Sequence, residues 1–197
     1  ELIKRGRVQK RKAGQWLFAE GDEATGLIIL VDGMIHLHCQ APGNREPLFN
    51  VIKAGEAIGQ SAAFGGGPRL VTATSGTDVT VFSLSDTALR AVADARPSLW
   101  PALLALSYRQ HRGLIEALTT IISLKPQQRM AVRLLELSEH EKYIPISQAS
   151  LAEIVGSSRK AVNGWLRVWE SSGIIRCGYG GLTILDRPGL ASIVGVE

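Results

Sequence analysis

The sequence predicts an α+β fold with an N-terminal antiparallel β-roll of the jelly-roll type, a long dimerisation helix and a C-terminal winged helix-turn-helix. Three patterns support this prediction. Short β-rich runs separated by glycines fill the first half, a long apolar stripe at helical spacing follows, and a helix-turn-helix pattern with a glycine-rich hairpin occupies the last third. We therefore assign residues 1–97 to the β-roll, 98–124 to the long helix and 125–197 to the winged helix.

Composition and charge limit the classes of protein to which this chain can belong. The 197 residues are 45% hydrophobic and 20% charged, which is typical of a folded chain with a buried core. The apolar runs are too short to span a bilayer, and no basic leader followed by an apolar run opens the sequence, so we expect a cytoplasmic protein without membrane partners. Two cysteines cannot supply the four thiolates of an iron–sulfur cluster. The net charge of +4 is compatible with a polyanionic partner.

The β-roll is predicted from five runs of apolar and β-branched residues, at 27–31, 34–39, 48–52, 70–74 and 77–84. Glycines lie between these runs, as in the turns of an antiparallel sandwich or roll. Asp86 is placed to cap a short helix over residues 87–95, which ends this region.

The long helix has an apolar stripe whose members step by three or four residues: Leu103, Leu106, Gln110, Leu114, Ala117, Ile121 and Leu124. The stripe could pack on its own domain, but a helix of this length after a completed sheet domain favours a seam between two copies of the chain. Pro126 then marks the first turn of the next helix.

The helix-turn-helix is predicted from three residues. Ala152 is small enough for two helices to approach closely, Gly156 supplies a turn with positive φ, and Val162 packs the second helix against the first. Ser158 is placed to cap the second helix, which is predicted to begin at Arg159.

Four residues form the outward face of this second helix: Arg159, Lys160, Asn163 and Arg167. They could enter a major groove together. Arg159 suits guanine and Asn163 suits adenine, whereas Ser157, Ser158 and Arg167 suit phosphates. An ordinary helical hairpin with a solvated basic edge is the alternative. A predicted wing weighs against it, because residues 174–176 and 182–185 flank the tip Gly178-Tyr179-Gly180-Gly181 as a β-hairpin.

In this order of parts the sequence resembles the CRP/FNR superfamily of bacterial transcription regulators. The resemblance rests on turn motifs in the first half and on the reading helix with its preceding helix: Phe18-Ala19-Glu20-Gly21-Asp22, Val31-Asp32-Gly33, Gly55–Gln60, Gly66–Arg69, Arg129–Leu135 and Leu151–Arg159. It implies a cyclic-nucleotide-binding-type roll and a homodimer on a pseudo-palindromic operator. It also implies double-stranded DNA and RNA polymerase as partners.

The resemblance places a ligand site at Gly59, Gln60, Ser61, Arg69 and Leu70. The family's glutamate after the glycine is Gln60 here, and its serine or threonine after the arginine is Leu70. Because Gln60 lacks a charge and Leu70 cannot donate to a phosphate oxygen, we do not expect cAMP as the effector. Arg69 then binds a different anion or pairs with a nearby carboxylate, and we favour the carboxylate. The polar pair that caps the adenine in the cAMP-binding member falls near Leu114 and Ile115.

Histidines offer the remaining candidate ligands. His36 and His38 share one face of a predicted strand, where they could ligate haem or a metal, but exposed strand histidines are commoner and we expect neither group. His111 lies beside the predicted seam, either as a pH-sensitive contact or as a residue of its rim.

These observations favour a sequence-specific DNA-binding regulator over two other classes. A ligand-sensing subunit that controls another protein through the same roll is the alternative, but it would have no use for Arg159 and Lys160. We do not expect an enzyme, since the sequence has no phosphate-binding Gly-Lys loop or nucleophile elbow, and the turn of the roll explains Ser61. Lys160 stands where the best-known members have a glutamate, and it cannot accept a hydrogen bond from cytosine. We therefore expect a different half-site.

Overall fold

The computed structural model describes residues 5–23, 26–139 and 141–195. The chain divides into two compact units, Glu1–Leu114 and Ile115–Glu197, and the boundary lies within the long helix. In the described ranges, no helix has the length and apolar character that crossing a membrane requires.

Two antiparallel sheets of four strands each form the first unit. The first sheet has the spatial order β1 (Arg7–Arg11), β8 (Val79–Leu84), β3 (Leu27–Asp32) and β6 (Ala57–Ile58). The second has the order β2 (Trp16–Phe18), β7 (Thr72–Ser75), β4 (Met34–His38) and β5 (Leu48–Lys53). This is the predicted β-roll.

The core of the roll follows from the alternation of side chains along each strand. Ile35 and Leu37 of β4 are buried, together with Leu30 of β3 and Val81 of β8, in one cluster that both sheets line. His36 and His38 point to the opposite face of β4, as the alternation predicts.

Helices α1 (Gln60–Gly65) and α2 (Asp86–Ala95) complete the roll. Sequence analysis did not anticipate α1, whose six residues include only a short apolar pattern. The cap of α2 is Ser85 rather than Asp86, because the Ser85 hydroxyl accepts a hydrogen bond from the Ala88 amide at 3.2 Å. The Asp86 carboxylate pairs instead with Arg90, one turn later, at 3.0 Å.

Helix α3 (Leu99–Ser123) is the predicted long helix, but the predicted stripe does not lie on one exposed face. Leu103 is buried and Leu106 packs against the hydrophobic core of the roll, while Gln110 is hydrogen bonded to residues of the roll. The expectation that these three residues belong to an intermolecular seam is therefore wrong. The helix has apolar residues on two neighbouring faces, and spacing alone does not tell which face meets the roll.

The second unit contains four further helices and a small sheet. The helices are α4 (Pro126–Leu137), α5 (Gln148–Ile154), α6 (Arg159–Ser171) and α7 (Arg187–Val194). The sheet has the order β10 (Ile175–Gly178), β11 (Gly181–Ile184) and β9 (Tyr143–Ile144). Pro126 occupies the first turn of α4, as predicted. The wing is confirmed with a tighter tip than expected, because Gly178 pairs with Gly181 and leaves only Tyr179 and Gly180 in the turn.

Candidate functional site

Helices α5 and α6 form the helix-turn-helix from the residues that predicted it. Ala152 and Val162 are buried where the two helices meet, and Val162 has no exposed surface. Gly156 has a φ of +62°, in the left-handed region that a residue without Cβ adopts easily. The amide of Ser157 donates to the Ala152 carbonyl at 2.9 Å and closes the turn. The local spacing therefore determines the geometry of this motif.

The start of α6 is capped as expected. The Ser158 Oγ accepts a hydrogen bond from the Ala161 amide at 3.2 Å, and the helix begins at Arg159. Since the hydroxyl accepts in this contact, its own hydrogen remains available for an acceptor outside the protein. The first turn also presents unpaired amide groups and the positive end of the helix dipole, which favour an anion.

One face of α6 is buried and the other is basic. Leu166 and Trp169 are buried with Val162 on the inner face, whereas Arg159, Lys160 and Arg167 are exposed on the outer one. The structure assigns no intramolecular hydrogen bond or ion pair to the side chains of these three basic residues within the part of the chain that it describes. Asn163, on the same outer face, is half-buried, and so is Ser157. Ser157 and Ser158 thus immediately precede α6, and the other four predicted contact residues lie along its outer face.

Arg129 positions this motif, a role that sequence analysis did not assign. Its Nη2 donates to the Val155 carbonyl at 2.7 Å, which satisfies the end of α5, and its Nη1 donates to the Leu124 carbonyl at 3.2 Å. A guanidinium can bridge two carbonyls in this way because its donors form a rigid fork. The sequence indicated only that an arginine lies near the start of this helix, since the Val155 carbonyl is 26 residues away along the chain.

The wing lies beside α6 and is hydrogen bonded to it. Glu170 near the end of α6 accepts a hydrogen bond from the Cys177 amide of β10 at 2.7 Å. Burial, followed by the charge of Glu170, raises the pKa of the Cys177 thiol. A hollow of about 280 Å³ lies between the start of α6 and the wing, and Arg159, Gly178 and Gly180 are among the residues that line it. Helix and wing therefore contribute to one continuous surface.

The second candidate site surrounds Gly59 at the start of α1. Gly59 has a φ of +101°, and a Cβ there would overlap the Arg69 guanidinium and the Gly26 carbonyl. Arg69 is only 2% exposed, its Nη2 donates to the Gly26 carbonyl at 3.0 Å, and its guanidinium lies 4.4 Å from the centre of the Phe18 ring. Burial lowers the pKa of Arg69, and the nearby Asp22 carboxylate acts in the opposite direction.

Gln60 belongs to a network of hydrogen bonds with α3. Its side chain is 1% exposed, and its Nε2 donates to Gln110 Oε1 and, at 3.4 Å, to Ser107 Oγ. Gln110 in turn donates to the Ala57 carbonyl at 2.9 Å. Gln60, which was predicted to contact a ligand, therefore makes its hydrogen bonds with α3.

The other residues of this candidate site are less enclosed. Ser61 is exposed on α1, and Leu70 is 72% exposed beside the buried Arg69. Leu114 and Ile115 are both exposed on α3. The structure therefore brings Gly59 and Arg69 together, and it does not bring Leu70 or Ser61 into a closed pocket with them.

His36 and His38 lie on the same face of β4. The rings of His36 and His38 are 6.3 Å apart, and both nitrogens of His38 lie at 3.2 Å from protein oxygens, the Glu46 carbonyl and the Thr74 hydroxyl. Across residues 5–23, 26–139 and 141–195, no group of three or more His, Cys, Asp or Glu side chains could hold a metal ion.

A further exposed surface runs along α3. Apolar or aromatic residues recur at alternating spacings of four and three, in the order Leu104, Tyr108, His111, Ile115, Leu118 and Ile122. All are exposed, and the five other than His111 are each more than half exposed. A heptad pattern of this kind is typical of a helix that pairs with another helix. We call these six residues the α3 seam.

Two family models match the chain, one in each half. Residues 8–96 match the family model described as "Cyclic nucleotide-binding domain", and residues 128–193 match the "Crp-like helix-turn-helix domain". The "Transcriptional regulator SdrP" of Thermus thermophilus is 30% identical over 175 residues, which are 83% of this chain and 81% of that protein. The "CRP-like cAMP-activated global transcriptional regulator" of Mycobacterium tuberculosis is 29% identical over 180 residues, with coverages of 82% and 80%.

Solved structures show the same fold. FixK2 from Bradyrhizobium japonicum superposes with a TM-score of 0.85 at 16% identity, and the match covers 98% of each chain. A CRP/FNR-family transcriptional regulator from Thermus thermophilus superposes with a TM-score of 0.70 at 26% identity, covering 96% of this chain and 99% of that one.

Proposed function

The chain belongs to the CRP/FNR family of DNA-binding transcription regulators, and we propose that it acts as a homodimer on a pseudo-palindromic operator. In this proposal residues 1–97 are the sensor region, 98–124 the dimerisation helix and 125–197 the DNA-binding region. RNA polymerase is the further partner, the cytoplasm is the place of action, and the protein catalyses no reaction.

The observation that supports the proposal most directly is the outer face of α6. Arg159, Lys160 and Arg167 are exposed on one side of a helix whose opposite side is buried. Three cations on one face repel one another, so a polyanion that neutralises them would bind there. A ligand-sensing subunit that controls another protein would leave this face without a use.

Base recognition follows from the lengths and hydrogen-bonding groups of the side chains. Arg159, at the start of α6, has the fork that contacts guanine O6 and N7, and Asn163 can donate to and accept from an adenine. Lys160 donates only, so it selects an acceptor such as guanine. Ser157, Ser158 and Arg167 are assigned to phosphates, where the hydroxyl hydrogen of Ser158 and the α6 N-terminus favour an anion.

The α3 seam supports the proposed homodimer. Five exposed apolar or aromatic residues on one heptad stripe would leave a large hydrophobic surface in water if the chain were a monomer. A parallel pair of α3 helices would bury them and place the two copies of α6, the proposed recognition helices, on the same side of a duplex, about one helical turn apart.

The effector, if one acts, is proposed not to be cAMP. The Gln60 amide donates a hydrogen bond to Gln110 of α3, and the Arg69 guanidinium is buried against Phe18 and the Gly26 carbonyl. Leu70 cannot donate to a phosphate oxygen. We propose that the site formed by Gly59, Gln60, Ser61, Arg69 and Leu70 either takes a different ligand or needs none. A ligand would act by shifting the population of DNA-competent dimers.

Operator selection tests the DNA-binding proposal. The protein is used to select sequences from a random duplex pool, and the affinity of Arg159→Ala for the selected operator is compared with that of the parent. We expect the variant to lose sequence preference and keep weak, salt-sensitive binding. Arg45→Ala, which removes the same charge from an exposed turn of the roll, is the control and is expected to bind like the parent. Equal operator affinity of Arg159→Ala and the parent would contradict the proposal.

Calorimetry tests the effector proposal. We expect no saturable heat on titration with cAMP or cGMP, and no Soret band from haem in the same sample. Saturable micromolar binding of cAMP would show that Gln60 and Leu70 are tolerated and would overturn this part of the proposal.

A further inference from the structure

A groove lies between α4 and α7 in the second unit. Arg187, the first residue of α7, donates from Nη1 to the Ser138 hydroxyl at 2.8 Å and to the Ser138 carbonyl at 3.3 Å, just beyond the end of α4. At the other end, Gln128 Nε2 in the first turn of α4 donates to the Val194 carbonyl at 3.2 Å. The two helices are therefore antiparallel and hydrogen bonded at both ends, which gives the groove a fixed shape.

The groove is large enough for a small molecule, and most of its wall is apolar. Its volume is about 460 Å³. Binding sites for small molecules commonly enclose roughly 300–1,000 Å³. Leu134 of α4 and Leu190 of α7 have no exposed surface, but the packing of the two helices does not cover the apolar residues of the groove. Four of these line it, all half-buried: Val132, Leu135, Ala191 and Val194. Their remaining exposed surface favours a ligand with an apolar part.

Charged groups lie at one end of the groove. Arg187 at the start of α7 lines this end together with Glu136 and Glu139, which lie in the last turn of α4 and just after it. In the part of the chain that the structure describes, only Nη1 of Arg187 is hydrogen bonded, so Nε and Nη2 can bind a carboxylate.

The two glutamates suit a cation at the same end. Glu136 pairs with Arg133 at 2.8 Å, but a carboxylate has about four acceptor positions and can accept from a further donor. The same holds for Glu139. One end of the groove therefore offers a guanidinium and two carboxylates, and the rest of it is apolar.

We propose that this groove binds a free α-amino acid with a large apolar side chain. The carboxylate of the ligand would lie against Arg187, its ammonium group against Glu136 and Glu139, and its side chain along the apolar walls. A fatty acid lacks the ammonium group that suits the two glutamates, and a simple amine lacks the carboxylate that suits Arg187. The groove shares no residue with the proposed DNA contacts or with the Gly59 site, so this inference is independent of the proposed function.

Calorimetry on the full chain tests the class of ligand. L-leucine, L-phenylalanine and L-tryptophan are titrated separately, and we expect saturable binding of at least one. The amino acid that binds most tightly is then compared with the amine that lacks its carboxylate and with the acid that lacks its amino group. Each analogue is expected to bind at least about tenfold more weakly, because the charge-assisted hydrogen bonds of one group are lost.

Three variants test the location of the site. Arg187→Gln removes the cation and is expected to weaken binding about tenfold. Ala191→Trp is expected to abolish binding, because the indole would occupy the groove while all three charged residues remain. Arg176→Gln removes the same charge from an exposed position on β10 and is expected to bind like the parent. Thermal unfolding checks that each variant is folded, and Ala191→Trp retains the test if Arg187→Gln is not.

Three results would overturn the proposal. One is the absence of saturable heat with all three amino acids. Another is an analogue without one charged group that binds as tightly as the amino acid. The third is unchanged affinity of a folded Ala191→Trp variant, which would place the ligand at another site. None of these results affects the DNA-binding proposal, because the variants leave α6 unchanged.

Discussion

Gln60 illustrates how one side chain changes the chemistry of a site. Its buried amide donates to both Gln110 and Ser107 of α3, so it joins the start of α1 to the long helix through polar contacts. A carboxylate at the same position could only accept. The identity of this residue therefore decides whether the turn after Gly59 is directed towards a ligand or towards α3.

Gln60→Glu is expected to lower the free energy of unfolding by about 3 kcal/mol at pH 7, because a buried carboxylate would face the acceptor Oε1 of Gln110. The deficit is expected to shrink as the pH is lowered, since a protonated carboxyl group can again donate. Urea unfolding at pH 7 and pH 5 measures both effects. Ser61→Glu, which adds the same charge at an exposed neighbouring position, is the control. A Gln60→Glu variant as stable as Ser61→Glu would show that the bridge to α3 contributes little.

Arg129 acts on the recognition motif through backbone carbonyls alone. It binds the Val155 carbonyl at the end of α5 and the Leu124 carbonyl that precedes α4. Both acceptors would otherwise be unsatisfied ends of helices. The orientation of the helix-turn-helix therefore depends on a residue that is not predicted to contact DNA.

Arg129→Ala is expected to destabilise the second unit by about 2 kcal/mol, because its charge-assisted hydrogen bonds to the carbonyls of Val155, Leu124 and Ile121 are lost. Circular dichroism during thermal unfolding measures the change. Arg129→Lys should recover only part of the loss, since a lysine ammonium cannot bridge these carbonyls with a planar fork. Full recovery by lysine would indicate that charge, and not the bidentate geometry, matters.

At the scale of elements, helix α3 has two faces with different surroundings. Leu103, Leu106 and Gln110 face the roll, while the α3 seam is exposed on a neighbouring face. His111 is the only histidine of the α3 seam, whose other members are aliphatic residues and Tyr108. The spacing of the seam places His111 at a d position of the heptad. In a parallel pair, d residues of the two helices face each other.

His111→Leu is expected to tighten the homodimer about tenfold, because leucine packs well at d positions and a facing pair of imidazoles does not. Sedimentation equilibrium across a dilution series measures the dissociation constant. Arg109→Leu places the same side chain on the outward side of α3 and is expected to leave the constant unchanged. No change with His111→Leu would place the dimer contact on another surface.

At the scale of the whole molecule, the two recognition helices of the proposed homodimer would bind one operator together. In this proposal the pairing of α3, and not contacts with DNA, would set their separation. The affinity for an operator should then depend on the distance between its half-sites as well as on their sequence.

Insertion of five base pairs between the half-sites is expected to reduce affinity about tenfold or more, because the second half-site is rotated to the opposite face of the duplex. Fluorescence anisotropy with labelled operators measures this loss. The same five base pairs added outside the operator provide the control. Affinity that is insensitive to the internal insertion would mean that the two recognition helices bind independently.

The sequence by itself determined the features that depend on nearby residues. The helix-turn-helix requires Ala152, Gly156 and Val162 within eleven positions of one another, and Ser158 caps α6 by contacting a residue three positions later. Strands β3, β4, β5, β7 and β8 of the roll and the two strands of the wing follow in the same way from alternation and glycine turns, whereas β1, β2 and β6 lie outside the five predicted runs. Propensity and spacing act over a few residues, so they could be inferred from the chain alone.

Only the tertiary structure decided which of several compatible partners each residue takes. Gln60 and Gln110 are fifty residues apart, and the spacing of α3 fits either of its apolar faces against the roll. The sequence is compatible with Arg69 as an anion ligand or as the partner of a carboxylate, yet burial places it against the Gly26 carbonyl and the Phe18 ring. Long-range contacts depend on how the sheets and helices pack together, and the packing free energy is shared by the whole unit. A local pattern therefore limits the alternatives, and the complete fold selects among them.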